Sequence, residues 1–208
     1  MTASLSYLYV KKYGGKFIVR IEDTNPENIY PPAYKMIENE CMWLFNSEAE
    51  IIIQSYRMEK YYEYAEKLIK KNAAYVCICS SDEFENYLKE DGCPCRFFDV
   101  KDDLSRWKLM LSEDINHRYE EGEAVLRFRT PESEGGVKHP NPAMRDFPLA
   151  RINTTPHPIQ KNKYRVWPLM NFAVAVDDIE MKMTHIIRAK DHRDNARRQE
   201  MIFKVLGK

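Results

Sequence analysis

The chain has 208 residues, of which 44% are hydrophobic and 31% are charged, and its formal net charge at pH 7 is zero. These values are ordinary for a globular protein that buries one full core or two small ones. The sequence has no run of about 18 apolar residues and no basic-then-apolar signal peptide at its start. We therefore expect no membrane span and a cytoplasmic location.

Helical and strand patterns alternate over the first 72 residues. They predict a helix over 3–13 that ends at Gly14-Gly15, a strand over 16–23, a helix opened by Pro31-Pro32, a strand at 51–53 and a helix over 57–72. Alternation of this kind predicts a parallel sheet with helices packed against it.

The pattern becomes less regular after residue 73. It predicts a strand over 74–79, polar helices over 82–90 and 103–119, and strands over 125–129 and 145–152. The parallel pattern then resumes near residue 164, with a helix over 168–176, a strand over 184–188 and a helix over 191–206. The middle block is therefore predicted to be an insertion.

Charged residues follow the apolar positions of the 16–23 strand. Because side chains alternate along a strand, Arg20 and Glu22 share one face, and Asn25-Pro26 then ends the strand in a turn. An arginine and a carboxylate at the end of a strand suit a zwitterionic ligand, since open α/β sheets bind ligands there. The alternative is that these charges are simply solvated.

Four of the five cysteines form two close pairs, Cys77-Ile-Cys79 and Cys93-Pro-Cys95, thirteen residues apart. Four thiolates can hold a tetrahedral Zn²⁺, and a site with four protein ligands would be structural. The alternative is four free or partly buried thiols. The fifth, Cys41, falls on an apolar helix face and is expected in the core. This cysteine usage fits a reducing compartment better than disulfides.

Other candidate groups carry weaker signals. Near the C-terminus, a basic cluster can contact nucleic acid or form the solvated face of an amphipathic helix; it comprises Arg188, Lys190, Arg193, Arg197, Arg198 and Lys204. The many tyrosines and the three tryptophans can stack on bases, but most of them fall on inner helix faces, so we expect core packing. Four histidines lack metal-ligand spacing and stay unassigned: His117, His139, His157 and His185.

Four segments carry a family resemblance. They are Tyr7-Leu-Tyr-Val-Lys-Lys-Tyr-Gly-Gly-Lys-Phe-Ile-Val-Arg-Ile-Glu-Asp-Thr-Asn-Pro26, Lys138-His-Pro-Asn-Pro-Ala-Met-Arg-Asp146, and Tyr164-Arg-Val-Trp-Pro-Leu-Met-Asn-Phe-Ala-Val-Ala-Val-Asp-Asp178 with Thr184-His-Ile-Ile-Arg-Ala-Lys-Asp-His192. In this order they resemble the catalytic domain of glutamyl-tRNA synthetases, particularly the archaeal type, and the resemblance covers essentially the whole chain.

The resemblance implies a class I, Rossmann-like α/β fold with a parallel sheet. That sheet would be incomplete at its N-terminal edge and split by an α+β insertion that binds the tRNA acceptor stem. Residues 1–72 would form the first half of the catalytic domain, 73–150 the insertion with its zinc site, and 151–208 the second half.

The resemblance also implies site residues. Glu22 would meet the α-amino group of glutamate and Arg188 its side-chain carboxylate, with Arg20 and Met170 beside them. Asp191 and His192 would lie near the adenosine of ATP. Two departures stand out: the family usually has a tyrosine where this chain has Met170, and a glycine where it has Lys182. Both bear on substrate binding rather than on the fold.

The implied activity is ligation of glutamate to its tRNA, through a glutamyl adenylate formed from ATP with Mg²⁺. The family's ATP signatures, His-Ile-Gly-His and a Lys-Met-Ser-Lys-Ser-type loop, do not occur in this sequence. We therefore expect the chain alone to be inactive and the activity to reside in a longer protein. The alternative is a non-catalytic relative that binds tRNA acceptor ends or glutamate.

Overall fold

The computed structural model of the protein describes residues 2–46 and 48–207. Over these ranges the α-helices are α1 (Thr2–Tyr13), α2 (Ala33–Phe45), α3 (Met58–Lys70), α4 (Ser81–Tyr87), α5 (Val100–Leu111), α6 (Met170–Glu180) and α7 (Arg193–Leu206). The strands are β1 (Phe17–Ile21), β2 (Ala49–Ile53), β3 (Ala74–Cys77), β4 (Val125–Phe128), β5 (Pro148–Ile152) and β6 (Val166–Pro168). Short 3-10 turns join several of them.

Strands β1 and β2 form a two-stranded parallel sheet, with Val19 opposite Ile51. Helices α1 and α2 pack on it around a small core that includes Phe17, Cys41 and Phe45. The expected core position of Cys41 is confirmed, since the residue is 6% exposed. This part of the chain has the helix–strand alternation that the sequence predicts.

The other four strands form an antiparallel sheet in the order β3-β4-β5-β6. Its main core also includes helices α3, α5 and α6, with Trp107 and Trp167 almost fully buried. Trp43 is the exception to the predicted burial of tryptophans, because it is 80% exposed on α2. The division at residues 72 and 150 stays a prediction.

Two predicted elements near the end of the chain differ from the structure. We expected a parallel pattern from residue 164, but β6 pairs antiparallel with β5. The predicted strand over 184–188 is wrong: these residues are irregular and join a 3-10 turn, Lys190–His192. A strand needs a neighbour to accept its backbone hydrogen bonds, and no strand pairs with this segment in the described part of the chain.

The predicted helix over 103–119 is also shifted. Asp99 caps α5 by accepting a hydrogen bond from the Asp102 N–H, which starts the helix at residue 100. The helix ends at Leu111, and Ser112 has extended backbone angles. Beyond it, the Asp114 side chain accepts from the Asn116 N–H and forms a local turn instead.

Helix α6 ends in a left-handed turn at Lys182, whose φ is +54°. The Lys182 N–H donates to Ile179 O (3.1 Å) and the Met183 N–H donates to Asp178 O (2.9 Å). This pair of bonds is the Schellman motif, in which glycine usually occupies the left-handed position. Lys182 therefore adopts a left-handed backbone conformation that glycine usually occupies.

None of the described helices is long and apolar enough to cross a membrane.

Candidate ligand cleft and metal centre

Glu22 and Arg188 line the same cleft, which has a volume of about 270 Å³. Glu22 follows the end of β1, and Arg188 lies in the irregular segment before α7. No ion pair joins the two side chains within the described ranges. We call this site the Glu22–Arg188 cleft; its other lining residues are Arg20, Met170, Val174, His192, Asn195 and Gln199.

Arg20 also lines the cleft, but its guanidinium is already paired with carboxylates of the protein itself. Its Nη1 donates to Asp178 Oδ1 at 2.8 Å, and its Nε lies 3.4 Å from Glu22 Oε1 and 3.8 Å from Asp177 Oδ2. Burial lowers the pKa of Arg20, but the hydrogen bond and charge of Asp178 outweigh it and raise the pKa overall. Arg20 therefore neutralises Glu22, which follows β1, and the carboxylates of α6.

Asp177 and Asp178 are buried polar residues of α6 that were not identified from the sequence. Asp177 accepts hydrogen bonds from Gln54 (2.9 Å), Arg57 (2.8 Å) and Tyr61 (3.0 Å), so its carboxylate fastens α6 to α3 and the turn before it. Asp178 instead faces Arg20 and Arg188. The signal that could have found them is two adjacent carboxylates inside an otherwise apolar helix, since unpaired buried charges are too costly to keep.

Arg188 is held from two sides. Its Nη1 donates to Gln199 Oε1 at 2.5 Å, and its Nη2 lies 3.5 Å from Asp178 Oδ2. The Arg188 side chain is 22% exposed, so it remains accessible from the cleft. Gln199, on α7, is 2% exposed and was not singled out from the sequence.

The other predicted site residues lie around the same cleft, with one exception. Met170 is the first residue of α6 and is 37% exposed at the cleft wall. His192 also lines the cleft, at the start of α7. Asp191 is exposed and is not among the lining residues.

A buried polar cluster next to Glu22 fixes the backbone of this edge. Asp23 accepts hydrogen bonds from the Ser55 N–H (2.8 Å), the Ser55 hydroxyl (2.7 Å) and the Tyr34 hydroxyl (2.7 Å). The unassigned His157 is fully buried here: its Nδ1 accepts from the N–H groups of Ile159 and Gln160, so its Nε2 carries the proton and donates to Asp23 O (3.0 Å). His157 is therefore a structural residue.

The four paired cysteines converge at a second site. The sulfur atoms of Cys77, Cys79, Cys93 and Cys95 all lie within 4.8 Å of one another. The sulfur–sulfur distances are 3.5 Å for Cys77–Cys93, 3.4 Å for Cys79–Cys93 and 3.8 Å for Cys79–Cys95. A tetrahedral ion with metal–sulfur bonds of about 2.3 Å separates its ligands by about 3.8 Å. The four side chains can therefore hold one metal ion.

Electrostatics around the four thiols favours a cation. Burial raises the pKa of Cys79 to about 12, and hydrogen bonds from Cys77 and Cys95 raise that of Cys93, whereas hydrogen bonds from Cys77 and Cys93 lower that of Cys95. Four thiols packed this closely do not all ionise without a compensating charge. A divalent cation supplies that charge and deprotonates its ligands.

The segment that carries Cys93 and Cys95 is fastened to the antiparallel sheet. Arg96 donates two hydrogen bonds to Asp146, at 2.6 and 2.8 Å, and both residues are buried. Gly92 precedes the segment with φ +99°, and a Cβ there would lie 2.8 Å from Val137 Cγ1. The cysteine positions are thus set by the surrounding fold.

Some side chains of the C-terminal basic cluster are paired with other parts of the protein and others are not. Arg197 and Lys204 pair with Glu134, and Arg198 donates to Ala143 O. The side chains of Lys190 and Arg193 make no hydrogen bond or ion pair with the described residues. Arg193 and Arg197 line a cavity of about 570 Å³ between α7 and residues 139–144.

Sequence comparison matches residues 1–208 to the family described as tRNA synthetases class I (E and Q), catalytic domain. Among curated relatives, the chain is 44% identical over 207 residues to the glutamate–tRNA ligase of Methanocaldococcus jannaschii and 48% identical over 210 residues to that of Pyrococcus horikoshii. Each alignment covers 99% of this chain but 35% of the relative. The chain thus spans about a third of the length of these relatives.

Solved structures share the fold. A glutamate tRNA ligase from Elizabethkingia meningosepticum, in complex with its amino acid, matches 99% of this chain and 43% of its own with a TM-score of 0.67 at 20% identity. The glutamate-tRNA synthetase of Elizabethkingia anophelis matches with a TM-score of 0.66, also at 20% identity. The predicted α/β fold of the class I type is confirmed.

Proposed function

The chain belongs to the catalytic-domain family of class I tRNA synthetases (E and Q), and we propose that it is the glutamate-binding part of a glutamate–tRNA ligase. The observation that carries the proposal is the Glu22–Arg188 cleft, in which a carboxylate and a guanidinium face one space without pairing with each other. A glutamate ligand needs opposite charges at its two ends. Glu22 would accept hydrogen bonds from its ammonium, and Arg188 would donate to its side-chain carboxylate.

Arg188 would also supply specificity. A guanidinium offers parallel N–H donors that match a carboxylate, whereas glutamine offers a neutral amide with only one oxygen. A site built around a buried charged group rejects an analogue that leaves the group unpaired. The cleft would therefore prefer glutamate to glutamine.

The reaction would use this chain's residues to hold the amino acid for attack on ATP. The bound α-carboxylate would attack the α-phosphorus of ATP, and pyrophosphate would leave. The acyl group of the resulting adenylate would then pass to a terminal hydroxyl of the tRNA, with release of AMP. His192 lines the cleft, and we propose that it and Asp191 face the nucleotide. Mg²⁺ would accompany ATP.

The tRNA acceptor end would lie against the basic residues at the start of α7. Lys190 and Arg193 are exposed and make no ion pair within the described ranges, so their charges are available to phosphates. Double-stranded RNA is bound mostly through its shape, phosphates and 2′-hydroxyls. Replacing Arg193 with Glu would weaken tRNA binding and reduce its salt dependence.

The four cysteines would hold a structural Zn²⁺ in the middle block. Four protein ligands leave no open position for chemistry, so the ion would fix the loop of Cys93 and Cys95 against β3. All five cysteines are free thiols, which suits a reducing cytoplasm.

The test is calorimetric titration of the chain with L-glutamate and with L-glutamine. We expect glutamate to bind and glutamine to bind at least about tenfold more weakly. Glu22→Gln should weaken both ligands, because both carry the ammonium, and Arg188→Met should weaken glutamate selectively. Equal affinities for the two amino acids, or no glutamate binding at millimolar concentration, would contradict the proposal.

A further inference from the structure

The guanidinium of Arg188 contacts two buried side chains from different helices. Gln199 of α7 accepts from Nη1 at 2.5 Å, and Asp178 of α6 lies 3.5 Å from Nη2. Gln199 is 2% exposed and the Asp178 side chain 5%. Arg188 itself lies in an irregular segment, so its own backbone gives it little rigidity.

Asp178 is in turn held in place by Arg20. Its Oδ1 accepts the 2.8 Å hydrogen bond from Arg20, while its Oδ2 faces Arg188 and accepts no hydrogen bond from the described residues. Arg20 balances the charge of Asp178. The positive charge of Arg188 therefore remains available to a ligand in the cleft, although a carboxylate lies beside it.

From this geometry we propose that Asp178 and Gln199 are positioning residues for specificity: they orient the Arg188 guanidinium so that the cleft distinguishes a carboxylate from a carboxamide. The inference rests on the proposed binding of glutamate at Arg188. Bidentate pairing requires two N–H groups aimed in parallel at two oxygens. Such a group works only when surrounding contacts fix it within about 0.5 Å and 10–20°.

Asp177 provides a matched control on the same helix. It is also a buried carboxylate, but its partners are Gln54, Arg57 and Tyr61 on the side of α3. Its nearest approach to the cleft arginines is 3.8 Å, to Arg20 Nε. Replacing Asp177 therefore perturbs the stability of α6 without releasing Arg188.

The experiment compares four variants by titration with L-glutamate and L-glutamine. Asp178→Asn keeps the shape of the side chain but can turn an NH₂ group toward Arg188, and Gln199→Met removes the other acceptor. We expect each to weaken glutamate binding about tenfold and to change glutamine binding less than about twofold. Asp177→Asn should lower the melting temperature while keeping the preference for glutamate, and Arg188→Met should lose that preference.

The Arg188 side chain also gives a spectroscopic readout that does not depend on ligand affinity. In ¹⁵N-labelled protein, its Nε–H resonance is assigned by its loss in Arg188→Met. We expect a sharp resonance in the wild type and in Asp177→Asn. It should broaden or shift in Asp178→Asn and Gln199→Met, because the guanidinium then rotates more freely.

The outcomes separate the two proposals. A wild-type chain without preference for glutamate overturns the proposed function and this inference with it. A wild-type preference that persists in both Asp178→Asn and Gln199→Met overturns the positioning role alone. If the Asp178 and Gln199 variants lose affinity for both amino acids equally while the Arg188 resonance is unchanged, the positioning role is also overturned. That result would indicate a purely structural role.

Discussion

Arg20 and Asp178 are 158 positions apart in the chain and are joined by a 2.8 Å ion pair. The pair connects the parallel sheet to α6 directly beside the Glu22–Arg188 cleft. Burial raises the pKa of Asp178, and the hydrogen bond from Arg20 opposes that rise. The ion pair therefore allows a buried carboxylate to stay charged where two parts of the fold meet.

Removing Arg20 should destabilise the fold strongly. In Arg20→Met the Asp178 carboxylate loses its close counter-ion while remaining buried, and breaking such a pair typically costs about 3–5 kcal/mol. Chemical denaturation should detect a loss of about 3 kcal/mol. Lys11→Met is the control: it breaks the Lys11–Glu48 pair, which is exposed at the surface, and should change stability much less. Equal losses in the two variants would contradict the assignment.

The sequence predicted the features that depend on nearby residues. Alternation of apolar residues located β1, and the two cysteine pairs converge as their spacing suggested. The likeness to known synthetases also indicated Glu22 and Arg188 together.

Features that depend on distant partners could not be predicted in the same way. Local pattern indicates an extended segment at 184–188, but whether it becomes a strand depends on a neighbour that the segment itself does not specify. The ion pair between Arg20 and Asp178 and the hydrogen bond between Arg188 and Gln199 likewise follow only from tertiary packing.

Lys182 offers a stabilising substitution. A non-glycine residue in the left-handed region costs about 1–2 kcal/mol of stability. Glycine avoids this cost, but its greater conformational freedom in the unfolded chain offsets part of the gain. Lys182→Gly should therefore raise the free energy of unfolding by about 1 kcal/mol, measured by denaturation, whereas Lys182→Ala should give no such gain. Helix α3 ends in the same motif at Asn72, with φ +56°. Because asparagine tolerates this conformation better, Asn72→Gly should gain less than Lys182→Gly.

The cysteine cluster should bind one zinc ion per chain. Elemental analysis of protein purified without chelator should find about one equivalent of zinc. Cys93→Ser should lose it and melt at a lower temperature, because a structural ion contributes directly to folding. Cys41→Ser, at a buried cysteine outside the cluster, should keep the metal. Absence of zinc from the wild type, or equal retention by both variants, would refute the assignment.

Asp103 should make stability depend on pH. Burial raises its pKa from 3.8 to about 6, although its carboxylate accepts from the Val76 N–H (3.0 Å) and faces Arg129. The folded state therefore binds more protons than the unfolded state between about pH 4 and 6. Stability contributed by this group falls as the pH rises through that window.

The variant Asp103→Asn isolates this effect, since all other titrating groups stay the same. Between pH 4 and 7 the wild type should lose up to about 3 kcal/mol of unfolding free energy relative to the variant. Denaturation at several pH values measures this difference. Asp102→Asn, at the exposed neighbouring position, controls for the loss of one carboxylate. A constant difference between wild type and Asp103→Asn would contradict the prediction.

Met170 should limit the affinity of the cleft for its amino acid. It lies at the start of α6, 37% exposed in the wall of the Glu22–Arg188 cleft, where a methionine fills space but donates no hydrogen bond. Met170→Tyr adds a hydroxyl that can donate to the ligand. One such bond is worth about 0.5–1.5 kcal/mol, so glutamate should bind about three- to tenfold more tightly, as measured by calorimetry.

Met170→Phe separates the hydroxyl from the ring, because it adds the aromatic surface alone. We expect this variant to bind glutamate with about the affinity of the wild type. If Phe and Tyr improve binding equally, the gain comes from packing and the hydrogen-bond argument fails. If neither changes the affinity while Arg188→Met abolishes it, the ligand lies at the Arg188 end of the cleft and does not reach the wall formed by Met170.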